Sequence, residues 1–160
     1  MGNELFPSLE PLNPEEMKDI LEEKLPGKIL ETRAINKELV IWVNPQDLVE
    51  VCTFLRDSDL DFNHPRCLTG VDRQDSLEVV YHLSSTNRNH KITIKVAVPP
   101  NQPQIPSLCP VYKGVNWHER ETSEMLGIIF EGHPDPRHLL LVDDFEGYPL
   151  RKDFILNNSP

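Results

Sequence analysis

The alternation of apolar and polar side chains along residues 91–98 constrains the fold more than any other feature of the chain. The aliphatic residues share one face, which is typical of a strand that buries a single side: Ile92, Ile94, Val96 and Val98. Residues 77–83, rich in β-branched and aromatic types, predict a second strand. Seven polar residues, 84–90, join the two. We therefore expect an antiparallel hairpin with one buried face.

A helix is predicted near the N-terminus. Asn13 is a suitable N-cap, Pro14 occupies the first helical position, and Glu16 completes a capping box. Apolar residues follow at helical spacing: Met17, Ile20, Leu21 and Leu25. Pro26-Gly27 ends the helix, and residues 1–12 are expected to form an irregular tail.

A second helix is predicted after a strand at residues 39–43. Asn44-Pro45 repeats the cap-and-proline pattern, and one apolar stripe follows: Leu48, Val51, Cys52 and Leu55. Residues 67–71 predict a further short strand. This order of helices and strands indicates an α+β fold of two layers, with helices on one face of a mostly antiparallel or mixed sheet.

The charge of the chain argues against two classes of partner. The formal net charge is −10, and residues 1–62 carry 14 acidic and 6 basic side chains. Nucleic-acid binding requires a basic surface, and an anionic membrane would repel this chain. No signal peptide or membrane-spanning run is apparent, so if the protein works at a membrane, we expect another chain to anchor it there. The three cysteines are too far apart in sequence to suggest a metal or iron–sulfur site by themselves.

The last part of the chain lacks the pattern of an independent core. Residues 99–110 contain five prolines and are expected to run extended over a surface. From residue 127 onward glycines and prolines recur, and only two apolar clusters occur, yet the composition is not that of a disordered tail. We therefore divide the chain into an α+β core, residues 1–126, and an extended C-terminal arm, residues 127–160, that docks on a partner.

A highly charged helix is predicted just before this arm. Asn116 is the expected N-cap, with Glu119 as the capping-box acid, and Gly127 is the expected stop. Trp117, Glu121 and Met125 would share one face, while Arg120 and Glu124 would pair. A glutamate between two apolar side chains needs a partner, and the arm offers three candidates: Arg137, Arg151 and Lys152.

A catalytic metal site is the main alternative hypothesis. His118 and Glu121 have the helical spacing of two ligands, but Thr122 stands where a second histidine would be needed. His133-Pro134 is better interpreted as a turn whose imidazole bonds to backbone groups. Phosphate-binding and nucleophile motifs are missing from the sequence. A small metal-dependent hydrolase stays open as the enzymatic alternative.

Several motifs of the second half resemble those of a known family. The most specific is the run Pro149–Asp153, and weaker landmarks extend the resemblance over roughly residues 60–154. The sequence is similar to that of the thirty-kilodalton, or C-type, subunit of the respiratory complex I family, NADH:quinone oxidoreductase. The supporting motifs are Trp117–Glu121, Gly127-Ile128, residues 130–135 with Arg137, Gly70–Asp72, residues 81–83, Lys95-Val96 and residues 105–107.

The resemblance implies a role without chemistry in this chain. It implies no bound cofactor here, with iron–sulfur clusters, FMN and quinone held by other subunits. The implied partners are the large D-type subunit, a relative of nickel–iron hydrogenase large subunits, and neighbouring subunits of the hydrophilic arm, at the cytoplasmic side of the membrane or an equivalent face. The implied interface residues are Trp117, Glu119, Arg120, Glu121, His133, Asp135, Arg137, Arg151, Lys152 and Asp153.

The sequence departs from the commonest family pattern at a few positions: Ser123, Glu124, Leu126, Pro136 and His138. Relatives in membrane-bound hydrogenases and in ferredoxin- or coenzyme F420-linked dehydrogenases vary at such places. The electron donor and acceptor therefore stay open, and an equivalent subunit of one of those complexes is the second alternative.

Overall fold

A five-stranded mixed sheet organises the computed structural model, which describes residues 10–155. The elements are α1 (Pro14–Lys24), β1 (Ile29–Ile35), β2 (Glu38–Val43), α2 (Leu48–Asp57), β3 (His64–Asp72), β4 (Leu77–Ser84), β5 (Lys91–Val98), β6 (Gln104–Pro106), α3 (Asn116–Leu126) and β7 (Ile129–Glu131). The strand order of the sheet is β1-β2-β5-β4-β3, with β2 and β5 parallel and the other neighbours antiparallel. A separate two-stranded parallel sheet is formed by β6 and β7.

The α+β fold predicted from the sequence is confirmed. The aliphatic residues of β5 are all buried in one core cluster. That cluster also contains the apolar stripes of α1 and α2, so both helices pack on the same face of the sheet. The hairpin of β4 and β5 pairs in register from Leu77↔Val98 to Ser84↔Lys91. Among residues 10–155, no helix packs on the opposite face of the sheet.

The two predicted N-caps of the first half have different outcomes. Asn13 and Glu16 form the expected capping box, each accepting from the backbone N–H of the other, at 3.0 and 2.8 Å. Asn44 makes no side-chain capping bond, because Pro45–Asp47 forms a 3-10 turn that leads into α2. Strand β1 was not predicted from the sequence. This strand lies at the edge of the sheet and is mostly exposed, so it lacks the alternation that reveals a half-buried strand.

We had expected the proline-rich segment to run over the surface, and this prediction is wrong. Ile105 and Leu108 are fully buried, and β6 pairs with β7. Prolines lack the N–H donor but keep their carbonyl oxygens, and the Pro103 oxygen accepts from Ile129 N at 2.8 Å. A short strand therefore forms despite the prolines.

The C-terminal arm begins inside the core. Ile128 and Phe130 belong to the buried cluster, whereas residues 132–155 contain no helix, no strand and no buried residue. Of the predicted N-terminal tail, residues 1–9 lie outside the described part of the chain. Leu12 donates through its backbone N–H to His90 Nδ1 at 3.3 Å. Within residues 10–155, each helix is too short and too polar to cross a lipid bilayer.

Candidate partner-binding surface

Helix α3 does not begin with the capping box that the sequence suggested. A 3-10 turn, Lys113–Val115, leads directly into it, and the N-cap is Val115 without a side-chain bond. An N-cap side chain needs extended backbone at its own position, but Asn116 is helical, with φ −48° and ψ −56°. The predicted stop is confirmed, since Gly127 adopts the left-handed conformation with φ 72°.

Glu119 points into the core instead of capping the helix. Its carboxylate is 0% exposed. It accepts hydrogen bonds from Ser107 Oγ at 2.6 Å and Leu108 N at 2.7 Å, while Cys109 Sγ lies 3.5 Å away. Burial raises the pKa of Glu119, and these donors only partly oppose the shift. Glu119 therefore anchors α3 to the segment after β6.

His133 bonds to backbone groups on both sides of its ring, as the sequence predicted. Nε2 lies 3.1 Å from the backbone carbonyl oxygen of Asn116, and the backbone N–H of Asp135 donates to Nδ1 at 3.0 Å. An acceptor at Nε2 and a donor at Nδ1 fit the neutral tautomer with its proton on Nε2. The 3.8 Å approach of Nε2 to Glu119 Oε2 is then not an ion pair.

The side chains best placed to hold a metal differ from those the sequence suggested. Within residues 10–155, the ligand atoms of Cys109, Glu119 and His133 lie within 4.8 Å of one another, and neither His118 nor Glu121 belongs to the group. Each member already has hydrogen-bond partners. A metal ion would have to displace these bonds, so the arrangement present is a hydrogen-bonded cluster.

The buried carboxylate of Glu119 makes stability depend on pH. Its folded-state pKa lies above the ordinary value of 4.5, so the folded protein keeps a proton that the unfolded chain loses. The stability linked to this group is complete below pH 4.5 and is lost as pH rises through the folded-state pKa. We expect Glu119→Gln to remove this dependence. Urea unfolding of both proteins from pH 4.5 to 8 measures how the free energy of unfolding changes with pH. The same change in both proteins would contradict a raised pKa of Glu119 as its cause.

Glu124 and Arg120 fix the arm to α3. Glu124 is 4% exposed, and its carboxylate accepts the backbone N–H groups of residues 139, 140 and 141 at 3.0, 2.9 and 3.2 Å. Arg120 donates to the carbonyl oxygens of Arg137 and His138, both at 2.8 Å. The predicted Arg120–Glu124 pair is therefore wrong, because the arm supplies better partners to both side chains.

Arg151 makes the second attachment of the arm. Its Nε donates to the Leu126 carbonyl at 2.6 Å, and its guanidinium lies 5.0 Å from the centre of the Tyr148 ring. A cation at a helix C-terminus satisfies a free carbonyl and complements the helix dipole. Next to it, Lys152 N donates to Asp72 Oδ2 at 2.8 Å, and this bond helps to lower the pKa of Asp72.

Gly127 is required where the arm returns to α3. Its φ is positive, and an added Cβ would lie 2.5 Å from Tyr148 Cε2. We expect Gly127→Ala to cost about 1–2 kcal/mol in left-handed strain, to displace Tyr148, and to speed trypsin cleavage after Arg151. Gly132→Ala is the matched control, since its φ is +77° but nothing lies within 4 Å of the added Cβ. Equal cleavage rates in the two variants would contradict the role of Tyr148.

The remaining predicted interface charges lie at the surface. We had expected the arm to desolvate Glu121. Instead, Glu121 is exposed and has no salt bridge within residues 10–155. Arg137 pairs instead with Asp135 through two bonds, at 2.7 and 2.8 Å. This pairing, with Arg120 nearby, holds the pKa of Asp135 below its usual range. Lys152 and Asp153 are exposed.

Large apolar side chains are exposed on α3, β7 and the rest of the arm. Seven of the nine exposed large apolar residues described by the structure lie from residue 117 onward, and Trp117 is 68% exposed. We call these seven the arm surface: Trp117, Ile129, Leu140, Val142, Tyr148, Leu150 and Ile155. Only Trp117 among them was predicted from the sequence as an interface residue, because the others follow no periodic pattern.

Comparison with known proteins gives one consistent family. The family model described as "Respiratory-chain NADH dehydrogenase, 30 Kd subunit" matches residues 41–160. The C-type subunit of NADH-quinone oxidoreductase from Roseiflexus sp. (strain RS-1) is 45% identical over 81% of this chain and 76% of its own. Its counterpart from Xanthobacter autotrophicus (strain ATCC BAA-1158 / Py2) is 43% identical over 81% of this chain and 64% of its own.

Two solved structures share the fold. One chain of the membrane-bound sulfane sulfur reductase, an archaeal respiratory membrane complex, aligns with a TM-score of 0.77 and 25% identity over 89% of this chain and 86% of its own. The trypsin-resistant fragment of Nqo5 aligns with a TM-score of 0.64 and 24% identity over 74% of this chain and 98% of its own, a similarity of fold alone. This chain belongs to the family of the 30 kDa subunit of respiratory-chain NADH dehydrogenase, which includes the C-type subunits of NADH-quinone oxidoreductase.

Proposed function

We propose that this chain is a cofactor-free peripheral subunit of a complex I-like NADH:quinone oxidoreductase and that it docks on the large D-type subunit through the arm surface. One observation carries the proposal: apart from the His133 side chain, residues 132–155 contribute little to the core, since none of them is buried as a whole residue, yet hydrogen bonds to α3 hold this stretch and it presents apolar groups to solvent. Exposed apolar groups concentrated in one region are typical of protein interfaces.

The attachments of the arm favour binding by reducing its entropic cost. A loop that orders only on association loses conformational freedom at that moment. Here Glu124 and Arg120 already hold residues 137–141 in place, and Arg151 holds the next turn. The exposed Leu140 and Leu150 are therefore presented by a backbone that is hydrogen bonded before the partner arrives.

The exposed charges on α3 and in the arm suit the rim of such an interface. Interfaces commonly surround an apolar centre with polar groups that set orientation and partner choice. Glu121, Lys152 and Asp153 are exposed, and Arg137 is largely solvated beside Asp135. In our proposal these charges meet opposite charges of the partner. Glu119 and His133 form hydrogen bonds within the chain, so in our proposal they stabilise the arm surface and do not contact the partner.

In the proposed complex, this chain carries out no redox step. Iron–sulfur clusters, FMN and quinone are assigned to other subunits, which also hold the assembly at the cytoplasmic side of the membrane or an equivalent face. The part played by this chain is to support the large subunit near the quinone site. We accordingly expect the purified chain to contain no stoichiometric zinc or iron in elemental analysis. A stoichiometric ion that disappears in Cys109→Ser would instead favour a metal centre.

An equivalent subunit of a related membrane-bound complex is the second candidate. It is favoured by the similarity to the chain of the archaeal sulfane sulfur reductase, which covers 89% of this chain. The complex in this second candidate could equally be a membrane-bound hydrogenase or a ferredoxin- or F420-linked dehydrogenase. The docking role would be the same, and only the electron donor and acceptor would differ.

Affinity purification of the tagged full chain from solubilised membranes tests the proposal. We expect a hydrogenase-large-subunit-like chain to co-purify in equal amount, together with NADH-oxidising subunits. Recovery of the large subunit with a different electron-input module would favour the second candidate. A chain that is recovered alone, as a monomer, would contradict both candidates.

A further inference from the structure

The uncovered face of the five-stranded sheet has the composition of a second docking surface. We propose that it binds an acidic surface of another protein subunit, on the side of the sheet opposite the packed helices. This inference rests on the proposed function only in requiring a multisubunit complex. We call this whole side of the sheet the open sheet face, and the residues that carry the inference are Arg33, Trp42, Arg73, Glu78, Lys91 and Lys95.

Trp42, on β2, lies on this face between two cations. Leu39, Ile41 and Val43 of β2 point into the core, so Trp42 faces the other side. The Arg33 guanidinium lies 5.2 Å and the Lys95 ammonium 5.3 Å from its ring centre. Tryptophan and arginine are the residues that most often dominate binding energy at protein interfaces. Cation–π contacts hold the three side chains in a defined arrangement before binding.

The acids of this face are already neutralised. Glu78 is 9% exposed and lies 3.1 Å from Arg73 Nη2 and 3.6 Å from Lys95 Nζ. The other two acids of this face pair with cations of the same face: Glu31 with Arg33 and Glu38 with Lys91. The outermost groups are cationic, since the Arg33 and Arg73 side chains are 60% and 54% exposed.

The balance of charge selects an acidic partner. The open sheet face carries four cations (Arg33, Arg73, Lys91 and Lys95) and three acids (Glu31, Glu38 and Glu78), a formal charge of +1. Because the whole chain has a formal charge of −10, the remainder of the chain carries −11. An acidic surface is therefore repelled elsewhere and favoured here. Nucleic acid fits less well, because binding to a phosphate backbone requires a strongly basic surface and this face is only weakly positive.

Cys67 provides a direct probe of the open sheet face. It is exposed, and it pairs in register with His82, whose neighbours Tyr81 and Leu83 are core residues, so Cys67 lies on the uncovered side. We would measure its rate of labelling by a polyethylene-glycol maleimide in the free full chain and in the purified complex, reading the Cys67 peptide by mass spectrometry. We expect labelling to be about tenfold slower or more in the complex, because an interface excludes solvent.

A carbodiimide cross-linker, which joins amines to carboxylates without a spacer, tests the partner's chemistry in the same complex. We expect Lys91 or Lys95 to be joined to an aspartate or glutamate of another subunit. The Lys18–Glu22 pair, 3.8 Å apart, is the internal control that the reagent has reacted. Arg33→Glu should lower retention of that subunit about tenfold, the effect of losing one well-placed charge pair, while Lys18→Glu leaves it unchanged.

The outcomes separate this inference from the docking of the arm. If the large subunit is recovered with the chain but Cys67 is labelled equally fast in both samples, the open sheet face is solvated and the inference fails while the proposed function stands. Protection of Cys67 without a cross-link from Lys91 or Lys95 to a carboxylate overturns the acidic character of the partner. Recovery of the chain alone overturns both proposals.

Discussion

Replacing Glu119 with alanine will lower the free energy of unfolding by about 2–4 kcal/mol. The substitution leaves the buried Leu108 N–H and the Ser107 hydroxyl without their acceptor, and it opens a cavity beneath α3. The loss is partly offset because the ionised carboxylate is itself disfavoured by burial. Urea unfolding at pH 7, followed by circular dichroism, measures the change.

Glu119→Gln is the matched control for this substitution. The glutamine carbonyl keeps an acceptor for Leu108 N without placing a charge in the core, so we expect less than half of the loss seen with alanine. Equal stability of the alanine variant and the unmodified protein would show that Glu119 does not hold α3 in place.

Replacing Trp117 with alanine will weaken incorporation into the complex by about 30-fold or more, the effect of removing a tryptophan from the centre of an interface. Because Trp117 is 68% exposed in the isolated chain, the free energy of unfolding should change by no more than about 0.5 kcal/mol. Competition between tagged variant and untagged chain for the complex, quantified by mass spectrometry, measures incorporation.

Glu121→Lys provides the electrostatic counterpart of the Trp117 experiment. Glu121 is exposed on the same helix, so reversal of its charge should impair incorporation while leaving the fold unchanged. Leu30→Ala and Asp19→Lys, at exposed positions outside α3 and the arm, are the matched controls and should incorporate normally. Normal incorporation of both α3 variants would contradict docking through the arm surface.

The same local pattern leads to one correct and one incorrect prediction of a helix start. Asn13 and Asn116 are each followed three residues later by glutamate. Asn13 has the extended backbone of an N-cap, with ψ 165°, whereas a 3-10 turn makes Asn116 helical. Glu119 then turns towards Ser107 and Leu108, residues brought close by the pairing of β6 and β7. Local spacing contains no information about that long-range contact.

The partners of Arg120 and Glu124 illustrate the same limit. Spacing of four residues on a helix favours a salt bridge worth only a few tenths of a kcal/mol. The arm instead offers free backbone donors to Glu124 and free carbonyls to Arg120, and charge-assisted bonds to such groups are stronger. Elements with strong periodicity, such as β5, were predicted at their correct bounds, and the family resemblance drawn from short motifs is confirmed.

Hydrogen–deuterium exchange of the chain, free and within the purified complex, tests the docking of the arm most directly. We predict that peptides covering residues 117–131 and 132–155 exchange more slowly in the complex, while peptides from α1 exchange equally in both samples. Unchanged exchange throughout residues 117–155, in a complex that contains the large subunit, would contradict the account.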